Sequence, residues 1–262
     1  MDERTVAAYL ERIGAERPRL LDETALAGLH RAHLMTVPFE NLSIHLGEAI
    51  SLAEDDLMSK IVTRRRGGFC YELNGAFALL LEALGADVVR VAARVYGDGR
   101  LGPPFDHLAL VVRLPAGDGR WLADVGFGSH STYPLRYDTR QEQADPGGRF
   151  VLADAADGDV DVLRDAQPQY RIEPRGRDLD EFIPTCWWQQ TSPDSHFTQN
   201  TICSRLTVDG RITLSGRTLI RTSGGERTEL QLDTDDAVLA AYRDHFGIAV
   251  DQVPVSKADR SV

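Results

Sequence analysis

The first third of the chain carries a helical period. Val6, Tyr9, Leu10 and Ile13 recur at three- and four-residue spacing and Gly14 follows as a stop, which predicts an opening amphipathic helix. Leu26, Leu29, His33 and Leu34 continue the period behind Asp22 and Thr24, both suitable N-caps. Val37-Pro38 should end that helix, because the residue before a proline avoids the α region. A short helix is expected over Leu57 to Val62. The strongest stripe, Leu73, Phe77, Leu80, Leu81 and Leu84, predicts a helix from Tyr71 to Leu84, with Gly85 where a left-handed C-terminal residue belongs. At Asp87 the period shortens towards two. Val89 to Val95, His107 to Leu114 and Trp121 to Val125 read as strands, the last two joined by a Pro-Ala-Gly-Asp-Gly turn at 115–119. Phe150 to Ala153, Val160 to Leu163 and Tyr170 to Ile172 add short strands, separated by Asp/Gly-rich loops. The last part mixes strands over Ile202 to Val208, Ile212 to Leu214 and Leu219 to Arg221 with a helix from Thr234 to Phe246, stopped by Gly247. The tail from Val253 is poor in apolar residues and is expected to fray.

Bulk composition narrows the function. A chain of 262 residues has room for a large core or for two or three packed sub-domains. A net charge of −11 argues against wholesale binding of nucleic acid, while leaving room for a local basic pocket around a phosphorylated cofactor. The opening MDERTVAAYLERIG lacks the apolar core of a secretory signal, and no run of 18 apolar residues occurs, so neither export nor a membrane span is expected. Three cysteines, Cys70, Cys186 and Cys203, with no export signal make a disulfide scaffold improbable and a cytoplasmic location the natural expectation. No C-x-x-C or H-E-x-x-H spacing suggests a metal.

The chemistry-bearing residues gather in two places. Gly67-Gly68-Phe69-Cys70 puts a cysteine at the start of the strongest helix, where the macrodipole and free N–H groups favour a thiolate and could receive an oxyanion. Two glycines would let the chain turn tightly and a substrate approach the backbone. Taken alone, Cys70 is more often a small buried apolar residue. His107 opens a strand and Asp124 closes the strand paired with it across the 115–119 turn, so a hairpin brings both near one another. Each alone reads as a structural residue, but together a nucleophile, a base and an orienting carboxylate form a Cys-His-Asp set. Cys186 and Cys203 lack the glycine-helix setting and read as structural, and Trp187-Trp188 reads as packing.

Arg66-Gly-Gly-Phe-Cys-Tyr-Glu-Leu-Asn74, Asp124-Val-Gly-Phe-Gly128, Val37-Pro-Phe-Glu-Asn-Leu42 and Pro104-Phe-Asp-His-Leu108 resemble, in order and spacing, the signature segments of arylamine N-acetyltransferases. The resemblance runs from about Tyr9 to about Gly247 and is most specific in the first half. It implies an α+β fold with a cysteine-protease-like core: a helical domain over 1–85 carrying the nucleophile, a β-barrel domain over 86–190 carrying the histidine and aspartate, and an α/β lid over 191–262. It implies that Cys70, His107 and Asp124 form a catalytic triad and that acetyl-CoA is the co-substrate, with no metal. It further implies an acceptor pocket lined by Phe39, Tyr71, Phe127 and Phe197, and coenzyme contacts at Gly126, Gly128, Ser129, Ser131 and Thr132. Arg66 is expected to pair with a carboxylate such as Glu40 and brace the loop before Cys70.

The implied reaction is ping-pong acetyl transfer from acetyl-CoA to an arylamine, arylhydrazine or arylhydroxylamine through an acetyl-Cys70 thioester, with neither nucleic acid nor membrane as partner and a homodimer left open. The main alternative is an amide synthase that closes a macrolactam from a carrier-bound acyl chain, for which an open space above Cys70 would argue. A cysteine hydrolase, or a binding protein with an inactive triad, is the more distant alternative.

Overall fold

The structure, a computed structural model, describes residues 1–256; the rest of the tail expected to fray lies outside these residues. Helix α1 (Glu3–Ile13) is capped by Asp2, whose carboxylate accepts from the Thr5 N–H, and stops at Gly14 in the left-handed region. Helix α2 (Glu23–Thr36) is capped by Asp22 and ends at Val37, as the proline after it requires. A two-residue strand β1 (Phe39–Glu40), short helices α3 (Leu42–Leu46) and α4 (Glu54–Met58), and a π-helical turn over Ser59–Thr63 lead to α5 (Cys70–Ala83), which begins one residue earlier than its apolar stripe. Phe77, Leu80 and Leu81 of α5 are fully buried, so this helix is the axis of the first core.

The switch to strands follows at once. Strands β2 (Asp87–Gly97), β3 (Arg100–Leu101), β4 (His107–Arg113), β5 (Arg120–Ala123), β6 (Leu135–Arg136), β7 (Gln143–Asp145), β8 (Gly148–Asp154), β9 (Val160–Arg164) and β10 (Gln167–Gly176) form one antiparallel sheet in the order β6-β5-β4-β2-β10-β9-β8-β7, with β3 paired to β2. The sheet curls into a nearly closed barrel. Its two ends meet through one side chain: the Arg136 N–H donates to Gln143 Oε1 at 2.7 Å, and Gln143 Nε2 donates to the Arg136 carbonyl at 3.0 Å. The period-two pattern divides the faces. Val91, Ala93, Ala109, Val111, Phe150, Leu152, Tyr170 and Ile172 fill the barrel, while Ala92, Leu108, Leu110, Val112 and Ala123 pack outward on α5. Strand β4 is buried on both faces, which is why it reads as an unbroken apolar run.

Helices α6 (Ile183–Thr191) and α7 (His196–Gln199) follow, and Phe182 and Cys186 pack into the α5 core. Strands β11 (Ile202–Leu206), β12 (Gly210–Ser215), β13 (Thr218–Ser223) and β14 (Glu226–Gln231) extend β1 into a five-stranded sheet covered by α8 (Asp235–Phe246). The three expected regions interlock. Phe39 and Glu40 pair with Ser204 and Cys203 in that sheet, and Leu42 lies in its core; the division expected between 190 and 191 falls inside α6. Strand β14 escaped the sequence reading because all six of its residues are exposed and no apolar face marks it. The described part of the tail is tied down, with Ser256 Oγ donating to the Gln199 carbonyl at 2.6 Å.

Candidate active site

The loop before α5 is held by close packing on both sides. A Cβ on Gly67 would lie 1.9 Å from the Pro38 carbonyl oxygen, and one on Gly68 2.6 Å from a Glu72 carboxylate oxygen. The glycines are therefore needed by the protein's own packing; the close approach expected of a substrate is made by the Pro38 backbone and the Glu72 side chain. The Glu40 N–H donates to the Gly68 carbonyl at 2.8 Å, and the Glu72 carboxylate accepts from the Phe69 N–H at 3.2 Å, which fixes the helix start. Arg66 pairs with buried Glu40 at 2.9 Å and reaches Glu48 at 3.2 Å, while Lys60 pairs with Glu72 at 2.6 Å. Burial pushes Glu40 up, but the Arg66 and Lys60 charges outweigh it and hold the carboxyl below its ordinary range.

Cys70 therefore stands in the first turn of α5, 3% exposed, with Sγ 4.0 Å from the Asp106 carbonyl. Burial pushes its thiol well up; a backbone hydrogen bond from Leu108 opposes this, and the fields of Asp106 and Asp124 add to it. A Cβ on Gly126 would fall 2.7 Å from Cys70 Cα, so the 124–128 loop can lie on the helix start only with glycine there.

The β4–β5 hairpin pairs Leu110 with Ala123, which leaves Asp124 just past the strand and His107 at the mouth of the other. His107 Nε2 and Asp124 Oδ2 lie 2.8 Å apart, both residues buried. With Nε2 committed, Nδ1 is the nitrogen left for the cavity. Asp124 Oδ1 accepts from Asn74 Nδ2 at 2.9 Å and from the Gly126 N–H at 3.0 Å. Burial pushes the Asp124 carboxyl up, but His107 beside it and the Asn74 hydrogen bond hold it well below the usual range. Asn74, one turn beyond Cys70 on α5, also donates to the Leu108 carbonyl at 2.6 Å and accepts from the Val125 N–H at 2.9 Å, so one amide ties the helix to both halves of the hairpin. Behind them the Asp124 N–H donates to His30 Nε2 at 3.1 Å, which puts the His30 proton on Nδ1, facing the Thr132 carbonyl at 3.0 Å. His130 makes tilted ring contacts with Phe150 and Tyr170, and burial lowers it to about 4.

Cys70 and His107 line a cavity of about 530 Å³. Phe39, Phe127, Phe197 and Trp188 give it aromatic walls, with Gly126 also at its surface. Phe39 and Phe197 pack at a tilt with centroids 6.1 Å apart, and Phe127 meets the His107 ring edge-on at 5.2 Å. Tyr71 is elsewhere: it is fully buried beneath the site, and its hydroxyl donates to the Phe105 carbonyl at 2.8 Å. The hydroxyl-bearing loop divides too. Ser129 and Thr132 line a separate polar cleft of about 460 Å³ with Arg31 and Arg211, whereas Ser131 is buried against His130 at 3.3 Å. Gly128, at φ 87°, leaves room for the Phe39 ring, 3.4 Å from where its Cβ would be.

Asn74, His30, Asp106, Trp188, Gln189 and His196 were not picked out from sequence. Asn74 had a signal, its four-residue offset from Cys70. Trp188 and Gln189 had a weaker one, since Phe182, Cys186 and Gln189 recur at helical spacing on the buried side of α6. Cys186 and Cys203 are buried free thiols, the former pushed up to about 12 by burial. Among the described residues, no group of His, Cys, Asp and Glu is placed to hold a metal, and no helix is long and apolar enough to cross a membrane.

A thiol at a helix start, a buried His-Asp pair and an aromatic cavity meet at this site, and a family model described as N-acetyltransferase matches residues 22–255 of the chain. The arylamine N-acetyltransferase of Mycolicibacterium smegmatis is 35% identical over 93% of this chain and 91% of its own length, and its solved structure superposes with a TM-score of 0.87 over 95% of this chain and 92% of that one. The Mycobacterium marinum arylamine N-acetyltransferase solved in complex with CoA is 31% identical, with a TM-score of 0.85 over 93% of this chain and 92% of that one. The proansamycin X synthase of Amycolatopsis mediterranei is 30% identical over 88% of this chain and 92% of its own length. The chain belongs to the arylamine N-acetyltransferase family.

Proposed function

We propose that this enzyme transfers the acetyl group of acetyl-CoA to the nitrogen of arylamines, arylhydrazines or arylhydroxylamines, with Cys70 as nucleophile, His107 as base and Asp124 as its orienting carboxylate. The observation that carries the assignment is the sharing of one cavity by Cys70 and a His107 whose far nitrogen is fixed on buried Asp124. Cys70 passes its proton to His107 Nδ1 as sulfur attacks the thioester carbonyl, and the imidazolium so formed lies against the Asp124 carboxylate. CoA leaves as its thiol with that proton. The arylamine nitrogen then attacks acetyl-Cys70, the C–S bond breaks, and His107 carries the amine proton to sulfur. Flat rings fit between Phe39, Phe127, Phe197 and Trp188, and arylamines are unprotonated near neutral pH. The coenzyme contacts are assigned to Gly126 beside Cys70 and Gly128 beside the Phe39 ring, and to Ser129 and Thr132 in the cleft with Arg31 and Arg211, guanidinium groups suited to phosphates; Ser131, being buried, is withdrawn from the set. The reaction is placed in the cytoplasm, with no nucleic acid or membrane taking part; light scattering decides whether the enzyme works as a homodimer.

Intact mass after mixing with acetyl-CoA alone tests the reading. One acetyl group is expected on the wild type, absent from Cys70→Ser and discharged by an arylamine. No adduct on a Cys70 that still alkylates would move the donor to a carrier-bound acyl chain, as for an amide synthase.

A further inference from the structure

Among the described residues lining the Cys70 cavity, Asp106 is the only carboxylate, and no lysine or arginine is present. It is a built feature. Asp106 Oδ1 accepts from Gln189 Nε2 at 2.7 Å, and Gln189 is itself fixed by Ser195; Asp106 Oδ2 accepts from the Val95 N–H at 3.3 Å. Val95 and Gln189 both line the cavity, so the carboxylate sits in the wall between β2 and α6. A Cβ on Gly102 would lie 2.2 Å from Oδ2, so the β3–β4 loop is shaped to admit this side chain. The partners are neutral donors. The nearby cation is Arg94, whose Nε donates to the Gly102 carbonyl, and His107, engaged with Asp124, adds a positive charge only when it holds the second proton. Burial raises the Asp106 carboxyl from its ordinary range, and the Val95 and Gln189 hydrogen bonds oppose that; the cavity thus carries one carboxylate with no lysine or arginine among its described lining residues to pair with it, beside a nucleophile that its charge does not help. Its effect falls on whatever enters, because a charge in a partly dry cleft acts across the whole cleft.

We propose that Asp106 sets acceptor selection: it favours arylamines and arylhydrazines whose remaining substituents are neutral or cationic, and turns away those bearing a carboxylate. The inference rests on the acetyl-transfer reading. In the second half-reaction the attacking nitrogen gains positive character as its C–N bond forms, and loses it when the proton reaches His107. Asp106 opposes neither step, whereas a second anion in the cleft would repel it in both. Because acceptor charge is sensed after acetyl-Cys70 forms, any effect of Asp106 on the thiol cancels when two acceptors compete for one acetyl-enzyme.

The test is that competition. Acetyl-CoA and equal amounts of 4-aminobenzoate and 4-aminobenzamide are given to the enzyme, and the ratio of acetylated products is read. The wild type is expected to favour the amide by about tenfold or more, equivalent to about 1.4 kcal/mol. Asp106→Asn should bring that ratio down at least about fivefold, and Asp106→Glu should retain it. A wild type that favours the benzoate overturns the inference without any variant, so a poorly folding Asp106→Asn does not shield it. An unchanged ratio in Asp106→Asn overturns it as well. A wild type that takes no acetyl group from acetyl-CoA overturns the acetyl-transfer reading and this inference with it; one that acetylates normally but shows no charge preference overturns this inference alone.

Discussion

The two sides of the cavity are built differently. Its floor, made by α5 and the β4–β5 hairpin, holds Cys70, Asn74, His107 and Asp124 at 3% exposure or less, with Asp124 receiving three hydrogen bonds on its carboxylate. Its outer wall, from the end of β2 and from α6 and α7, presents Tyr96, Trp188 and Phe197 half-buried and His196 exposed; Phe197 is held by ring contacts with Phe39 and Phe69, and Tyr96 by one hydrogen bond to Asp161 at 3.0 Å. A buried polar network is stabilising only when every member is matched, so the floor has one arrangement. Ring contacts are individually weak and tolerant of exchange. The floor is thereby over-determined in its geometry, whereas the wall has fewer contacts to fix it.

The contrast can be broken from the floor first. Cys70→Ser should lower turnover by about ten-thousandfold or more with melting temperature unchanged, read by acetyl-CoA-dependent arylamine acetylation. Asp124→Asn should cost about a thousandfold in kcat, since an amide can hold His107 in the wrong tautomer. Arg66→Ala leaves Glu40 buried without its partner and should destabilise the fold by about 3–5 kcal/mol in denaturant titration; full stability and rate in that variant would show that the ion pair does not brace the loop.

The histidines buried around the floor, on α2 and on the loop after β5, should set the acid response. An unfolded histidine binds a proton below about pH 6.5, whereas burial holds His130 at about 4 and lowers His30 and His33. The unfolded state therefore takes up more protons as pH falls from 6.5 towards 4. Stability is full above that window and drops within it, by about 1.4 kcal/mol per pH unit for each histidine that stays neutral. His130→Gln should flatten the slope of the urea midpoint against pH. The smallest effect is expected at the wall: Trp188→Ala should raise the acceptor KM by about two- to tenfold, measured with acetyl-CoA saturating.

Much of the floor was legible in the chain. Two glycines, a cysteine and the strongest apolar stripe announce a helix start, and the turn at 115–119 announces the hairpin that brings His107 to Asp124. The phenylalanine walls came from family likeness, and Tyr71 shows its limit: neighbouring the nucleophile in sequence, it points beneath the site to the Phe105 carbonyl. The wall was obscure because α6 mixes exposed Trp187 with half-buried Trp188, so no clean stripe forms. Asp106, beside His107, passed unremarked because its partners Val95 and Gln189 lie on separate elements. Strands β1 and β14, one too short and one too polar, gave no periodic signal at all.

Gln143 carries a consequence beyond the barrel it closes. A sheet that ends in open strands offers its unmatched peptide groups to any other chain with a strand to add, and proteins must blunt such edges. Here β6 and β7 are only two and three residues long, and one side-chain amide answers the N–H and the carbonyl of Arg136 as a peptide group would. A single glutamine thus stands in for a missing rung of ladder, and leaves neither peptide group of Arg136 open to a strand from another chain.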